Sequence, residues 1–132
     1  MATIRREFLL DVAPETFWAK VRDVGAVHTR LAPGFVVGCR LEGEVREVTF
    51  ANGLAATERI VSVDDAERRL AYVVSSPRVE HYAASIQVFS DGDGCRVEWR
   101  IDLLPHAAAG PAGQMVDAGV AAMRQAAIGQ NG

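Results

Sequence analysis

Between Phe35 and Pro105 the chain carries six short runs rich in Val, Ile, Thr and aromatic residues, near 35–42, 45–51, 54–63, 69–76, 80–90 and 95–104. Only turn chemistry separates them: Glu42-Gly43-Glu44, Asn52-Gly53, Asp64-Asp65, Ser76-Pro77 and Asp91-Gly92-Asp93-Gly94. Tight turns join antiparallel neighbours, so six consecutive strands of this kind predict an antiparallel meander. Asn52-Gly53 reads as a two-residue hairpin turn with positive φ at both central positions, and the Asp-Gly repeat does similar work in the last hairpin.

The two-residue period of a strand assigns the faces. A simple hairpin around 91–94 pairs Val88 with Val97, Ile86 with Trp99, Ala84 with Ile101 and Tyr82 with Leu103, all on an inward face. The alternate residues Arg96, Glu98, Arg100 and Asp102 meet water. The registers of 35–42 and 45–51 stay open, because Phe35, Val36 and Val37, and Val45, Val48 and Phe50, do not alternate cleanly; Gly38 is a candidate bulge.

The flanks complete the pattern. Residues 3–11 read as a further strand, and Pro14 then suits the first turn of a helix whose apolar side is Phe17, Trp18 and Val21. A second short helical stretch, about 24–31, ends before Pro33-Gly34. After Pro105, residues 111–128 read as a helix about 27 Å long. Met115, Val116, Gly119, Val120, Met123 and Ala127 form its apolar side, and its small residues allow close approach to a curved sheet. It is the natural lid of a groove.

A chain of 132 residues has room for one core, so one domain over 1–132 is expected. Apolar residues make up 49% of it and the charges are of both signs, with a net −3, so no disordered tail is expected. That charge also lacks the clustered Lys and Arg of a nucleic-acid binder. No apolar run approaches the ~20 residues of a membrane span and no signal peptide is read at the N-terminus, which makes the cytoplasm the expected compartment. Cys39 and Cys95 have neither metal-site spacing nor a CxxC context, and His28, His81 and His106 lie far apart, so no metal is expected. The absence of GxGxxG after a strand and of GxxxxGK[ST] implies no nucleotide cofactor, and Ser85 has no GxSxG context as a nucleophile.

One strand, two short helices, six strands and a long helix is the order of the helix-grip fold. The stretches LAPGFV (31–36), REVTFANG (46–53), Glu58-Arg59, DDAERRLAY (64–72), QVFSDGDG (87–94) and WRIDLLP (99–105) resemble bacterial polyketide cyclase/dehydrase-like, or SRPBCC, proteins of the START/Bet v 1-like superfamily. The resemblance runs over nearly the whole chain. It implies an α+β helix-grip fold: a curved seven-stranded antiparallel sheet (β-α-α-β6-α) wrapped around a long C-terminal helix. The superfamily includes aromatase/cyclases, plant ligand binders, lipid-transfer domains and co-chaperone domains, so the fold does not settle the chemistry. This chain departs from relatives of this type at Ala83, where they often carry Asn.

Glu58 is the most informative single residue. Its parity with Leu54, Ala56 and Ile60 places a carboxylate among inward apolar positions, where loss of water raises its pKa unless a cation holds the charge. It reads as a general acid or base, as the partner of Arg46 or Arg40, or, with the register shifted by one residue, as an outward side chain. Arg46, Tyr72, Tyr82 and Trp99 follow, on strands with apolar neighbours of the same parity. An Arg stabilises a developing enolate and a Tyr hydroxyl orients a carbonyl, while the alternative for Trp99 is core packing. His28 lies near the expected cavity mouth, His81 has outward parity, and Met115 and Met123 are candidates to line an adaptable pocket.

Three functions are therefore on the table. The first is binding of a small lipophilic or aromatic molecule between sheet and helix, with Tyr82, Trp99, Ile86, Ile101, His28, Met115 and Met123 as contacts. The second is a cyclase/dehydrase-like enzyme with Glu58 as acid or base, Arg46 as charge stabiliser and Tyr72 or Tyr82 orienting the substrate. The third is a protein-interaction role, which requires an exposed apolar patch. The expected oligomeric state is monomer or homodimer.

Overall fold

The computed structural model of the chain describes residues 2–129. Strand β1 (Ala2–Leu10) leads into α1 (Pro14–Arg22), six strands follow, and a long helix ends the chain. These strands are β2 (Val36–Glu42), β3 (Val45–Phe50), β4 (Ala55–Asp64), β5 (Arg69–Ser75), β6 (His81–Asp91) and β7 (Gly94–Leu104), and the helix is α2 (Ala109–Gly129). The seven strands form one sheet in the order β1-β7-β6-β5-β4-β3-β2, every neighbouring pair antiparallel. This is the expected helix-grip arrangement, with each strand boundary within two residues of its reading from sequence.

The β6–β7 register is the one that alternation predicts: Tyr82 opposite Leu103, Ala84 opposite Ile101, Ile86 opposite Trp99 and Val88 opposite Val97. In β1, Ala2, Ile4, Phe8 and Leu10 are buried while Thr3, Arg5 and Leu9 face out. Two bulges interrupt the other half of the sheet. One falls at Val37, between Val36 and Gly38, beside the glycine singled out from sequence, and the other at Val61, between Ile60 and Ser62. Each bulged valine is turned into water, as expected of an extra residue that the ladder leaves unpaired.

Two local expectations are refined. The stretch 24–31 is helical over Val27–Leu31, as one wide turn with π-type bonding closed by the Ala32 N–H donating to the Val27 carbonyl at 2.9 Å. The Asn52-Gly53 turn is not a two-residue hairpin. The Gly53 N–H donates to the Phe50 carbonyl at 2.9 Å, the Phe50 N–H donates to the Leu54 carbonyl at 2.8 Å, and Gly53 has a positive φ of 87° whereas Asn52 does not. That is a three-residue loop with glycine in the bulge position. The Asn52 side chain takes up the Leu54 N–H at 3.0 Å, which an Asn does without needing positive φ.

Helix α1 closes one end of the grip. Phe17, Trp18 and Val21 are buried, and Phe17 meets Phe8 edge to face at 6.5 Å between centroids. Burying a side chain of this size contributes about 2–3 kcal/mol. The Trp18 indole N–H and the Arg22 guanidinium both donate to Asp65 at 2.8 Å, which fixes α1 to the β4–β5 turn.

Helix α2 starts two residues earlier than its sequence reading and lies across the concave face. A Cβ on Gly119 would stand 2.9 Å from Cζ3 of Trp99 and 3.2 Å from Cε2 of Phe35, so only glycine allows the helix to sit this close. An ion pair of 2.6 Å between Arg6 and Asp117 joins α2 to β1.

Candidate functional site

Helix α2 touches the sheet at Trp99 and β1 but stands away from the rest of the concave face, and the two border an open cavity of about 970 Å³. Its walls are apolar over most of their extent: Leu31 and Val36 on the wide-turn side, Val48, Val74 and Ile86 on the sheet, and Val116 and Met123 on α2. Phe35 and Phe50, in a tilted contact with 5.2 Å between centroids, form one flank.

Into this surface β3, β4, β5, β6 and β7 project Arg46, Glu58, Tyr72, Tyr82 and Trp99. Arg46 stands directly opposite Glu58 in the β3–β4 ladder, which brings the two side chains together on the inward face. The guanidinium Nε donates to Oε1 of Glu58 at 2.8 Å, and a second nitrogen donates to the Val24 carbonyl at 3.1 Å. Both residues are buried, at 3% and 8% exposed, so this is a desolvated pair and not a surface bridge. Arg40, the other candidate partner, instead pairs with Glu47 in solvent.

Burial pushes the Glu58 carboxyl above the usual 4.5, and the Arg46 charge and hydrogen bond pull it part of the way back. Arg46 reaches only one carboxylate oxygen; among the described residues nothing bonds Oε2. The same guanidinium carbon lies 5.1 Å from the centre of the Tyr72 ring, a cation–π contact. The Trp99 indole N–H donates to the Tyr72 hydroxyl at 3.2 Å, which leaves the phenol proton free to donate. Burial and the nearby Glu58 charge drive both Tyr72 and Tyr82 upward, so both phenols are neutral donors at physiological pH and not bases. The chemical content of this wall is thus one incompletely occupied carboxylate, one committed guanidinium and two phenols.

Of the residues singled out from sequence, Glu58, Arg46, Tyr72, Tyr82, Trp99, Ile86, Met115 and Met123 all border this one cavity. Ile101 and His28 do not. Ile101 is fully buried in the core beside Ala84 and Ile4, and His28 lies in the wide turn with its Nδ1 buried and unbonded. His81 is exposed, as its parity requires. Ala83, where an Asn was the comparison, is no part of the lining.

The sequence is matched over residues 1–130 by the model of a family described as polyketide cyclase/dehydrase and lipid transport. The chain belongs to this family. Solved structures similar to this cyclase/dehydrase and lipid-transport family member include XoxI from Bacillus cereus, with a TM-score of 0.87 and 22% identity over 100% of this chain and 99% of the other. The protein Ara h 8.0201 has a TM-score of 0.76 and 17% identity, covering 97% of this chain and 98% of its own. A point mutant of norcoclaurine synthase from Thalictrum flavum, bound to a transition-state analogue, has a TM-score of 0.70 and 19% identity over 99% and 96% of the two chains. At these identities the likeness is one of fold. No curated protein matches the sequence. Among the described residues no helix is long and apolar enough to cross a membrane.

The cavity also has lining residues that the sequence reading passed over. Arg78, Asn52 and Gln114 border it, and so do Phe35 and Phe50. Phe35 and Phe50 sit where the 35–51 register was open, and Asn52 and Arg78 belong to segments read as punctuation. Periodicity carries no information about which way a loop side chain turns.

Proposed function

We propose that this protein binds a small lipophilic or aromatic molecule in the space between the sheet and α2. The observation that carries the reading is the cavity itself. A volume of about 970 Å³ lies at the upper end of the ordinary small-molecule range of roughly 300–1,000 Å³. Mainly apolar walls with a few converging polar groups are the composition such sites have. Family membership supports the same reading at a coarser level, since lipid transport is part of the family description.

A second reading rests on one specific contact. Arg46 holds a single oxygen of Glu58, burial favours the protonated form, and Glu58 borders the cavity, so its other oxygen is left to give or take a proton. In that reading Glu58 is the general acid or base of a cyclase/dehydrase-like step, and the Tyr72 or Tyr82 phenol donates to a substrate oxygen.

Native mass spectrometry and thermal shifts against fatty acids, flavonoids and polyketide-like phenols, on wild type and Glu58→Gln, test both. Equal stabilisation of both proteins by a compound recovered unchanged supports binding. Conversion by wild type, with binding alone by Glu58→Gln, supports the enzyme. If no compound binds either protein, the cavity is not a ligand site.

A further inference from the structure

Three formally charged side chains border the cavity: Arg46, Glu58 and Arg78. Two of them answer each other. Arg46 is committed to Glu58 and to the Val24 carbonyl and lies against Tyr72, so the buried end of the cavity has no cation to spare.

Arg78 is different on every count. It is exposed to water yet borders the cavity, which places it at the rim. It takes part in no ion pair among the described residues, and neighbouring Glu80 makes none with it. Its backbone is held on both sides: its own N–H donates to Oγ of Ser76 at 3.3 Å, Ser76 bridges to Val79, and the Glu80 N–H donates to the Leu104 carbonyl at 2.8 Å. The loop thus keeps an uncommitted guanidinium at the mouth of an apolar chamber. Glu58, the lone carboxylate of the lining, is buried and already answered by Arg46, so the interior offers an entering anion no free cation.

We infer that the ligand is an amphipathic carboxylate, held with its apolar body inside the cavity and its carboxylate at the rim on Arg78. This deepens the binding reading above and rests on it. The physical reason is a gradient. An ionised head pushed inward would lose its water beside Glu58, whereas at the rim it keeps much of its hydration and gains a charge-assisted bond to a planar donor pair. A neutral analogue of the same length gains the same apolar burial without that bond.

The test compares decanoate with decan-1-ol by calorimetric titration at neutral pH, on wild type, Arg78→Ala and Arg78→Glu. Wild type is expected to bind decanoate about tenfold more tightly than the alcohol at low salt, with the ratio shrinking as salt screens the contact. Arg78→Ala should weaken decanoate to about the affinity of the alcohol and leave the alcohol within about twofold; Arg78→Glu should reverse the preference. Arg78 is exposed and unpaired, so neither variant removes a contact that the fold uses. Equal binding of acid and alcohol by wild type overturns the inference, and so does an equal loss of both in Arg78→Ala. If neither compound binds wild type while larger aromatic members of the panel do, the cavity reading survives and this ligand class is wrong; if nothing binds at all, the cavity reading has failed and takes the inference with it.

Discussion

The two ends of the concave face share β5, β6 and β7 and use opposite solutions. Under α1, the inward residues Phe8, Leu70, Val88 and Val97 meet Phe17 and Val21, and nearly all of them are fully buried. Under α2, the inward residues of β3 to β7 include Arg46, Glu58, Tyr72, Tyr82 and Trp99, and a cavity is left between them and the helix. The difference lies in what faces the sheet. Helix α1 presents two aromatics that fill the space, while α2 presents Gly119, Val116, Met123 and several alanines, which close the lid without filling the interior. The filled end supplies cohesion, and the hollow end is free to carry groups that a packed core would reject.

The largest effect that separates the two ends is Phe17→Ala. Removing a fully buried aromatic from the filled end is expected to cost about 4 kcal/mol in urea unfolding, while the affinity of a cavity ligand, measured on the fraction that stays folded, changes little. A loss under about 1 kcal/mol would mean that the α1 end is no better packed than the cavity end. Arg46→Met comes next. It leaves Glu58 buried without its cation and should cost about 3 kcal/mol near pH 8. The folded pKa of Glu58 lies above the unfolded value of about 4.5, so the folded state holds the extra proton between the two. The Glu58 contribution is therefore most favourable at low pH and is lost as the pH rises through the folded pKa. Removing Arg46 widens that window, so the penalty at about pH 5 should be clearly smaller than at about pH 8. A pH-independent penalty would show that Arg46 acts by packing alone.

The hairpin that the two ends share was the most legible part. Its residues alternate without interruption through 82–103, the turn at 91–94 fixes the pairing, and parity alone assigns each side chain to its face. The hollow end was legible where a strand was regular: Glu58, Tyr72, Tyr82 and Trp99 all follow from period two. It was not legible where geometry came from bulges and loops. The bulge at Val61 has no Gly or Pro to mark it, and Arg78 borders the cavity from a loop held by Ser76 and by the Glu80 bond to Leu104, a contact across more than twenty residues of sequence. Ile101 shares the parity of the lining residues but sits between Ala84 and Ile4 in the closed part of the sheet, and parity gives the face without the distance along it. Lys20 is the sharpest case. A lysine near the end of an amphipathic helix reads as solvated, yet it is 2% exposed and donates to the Arg30 carbonyl at 3.4 Å.

The smallest expected effect tests whether the hollow end tolerates a polar loss that the filled end would not. Tyr72→Phe removes the acceptor of the Trp99 indole N–H without changing the shape of the ring that Arg46 covers. In a closed core an orphaned donor carries the whole desolvation penalty, about 1–3 kcal/mol. Here the indole borders a cavity large enough to hold water, so a solvent molecule is expected to take the place of the hydroxyl and the loss should stay near 1 kcal/mol in thermal unfolding. Saturation with an apolar ligand expels that water. The difference between wild type and Tyr72→Phe should therefore widen in the ligand-bound protein, and a gap that stays constant with ligand would place the Trp99–Tyr72 bond outside the part of the cavity that the ligand occupies.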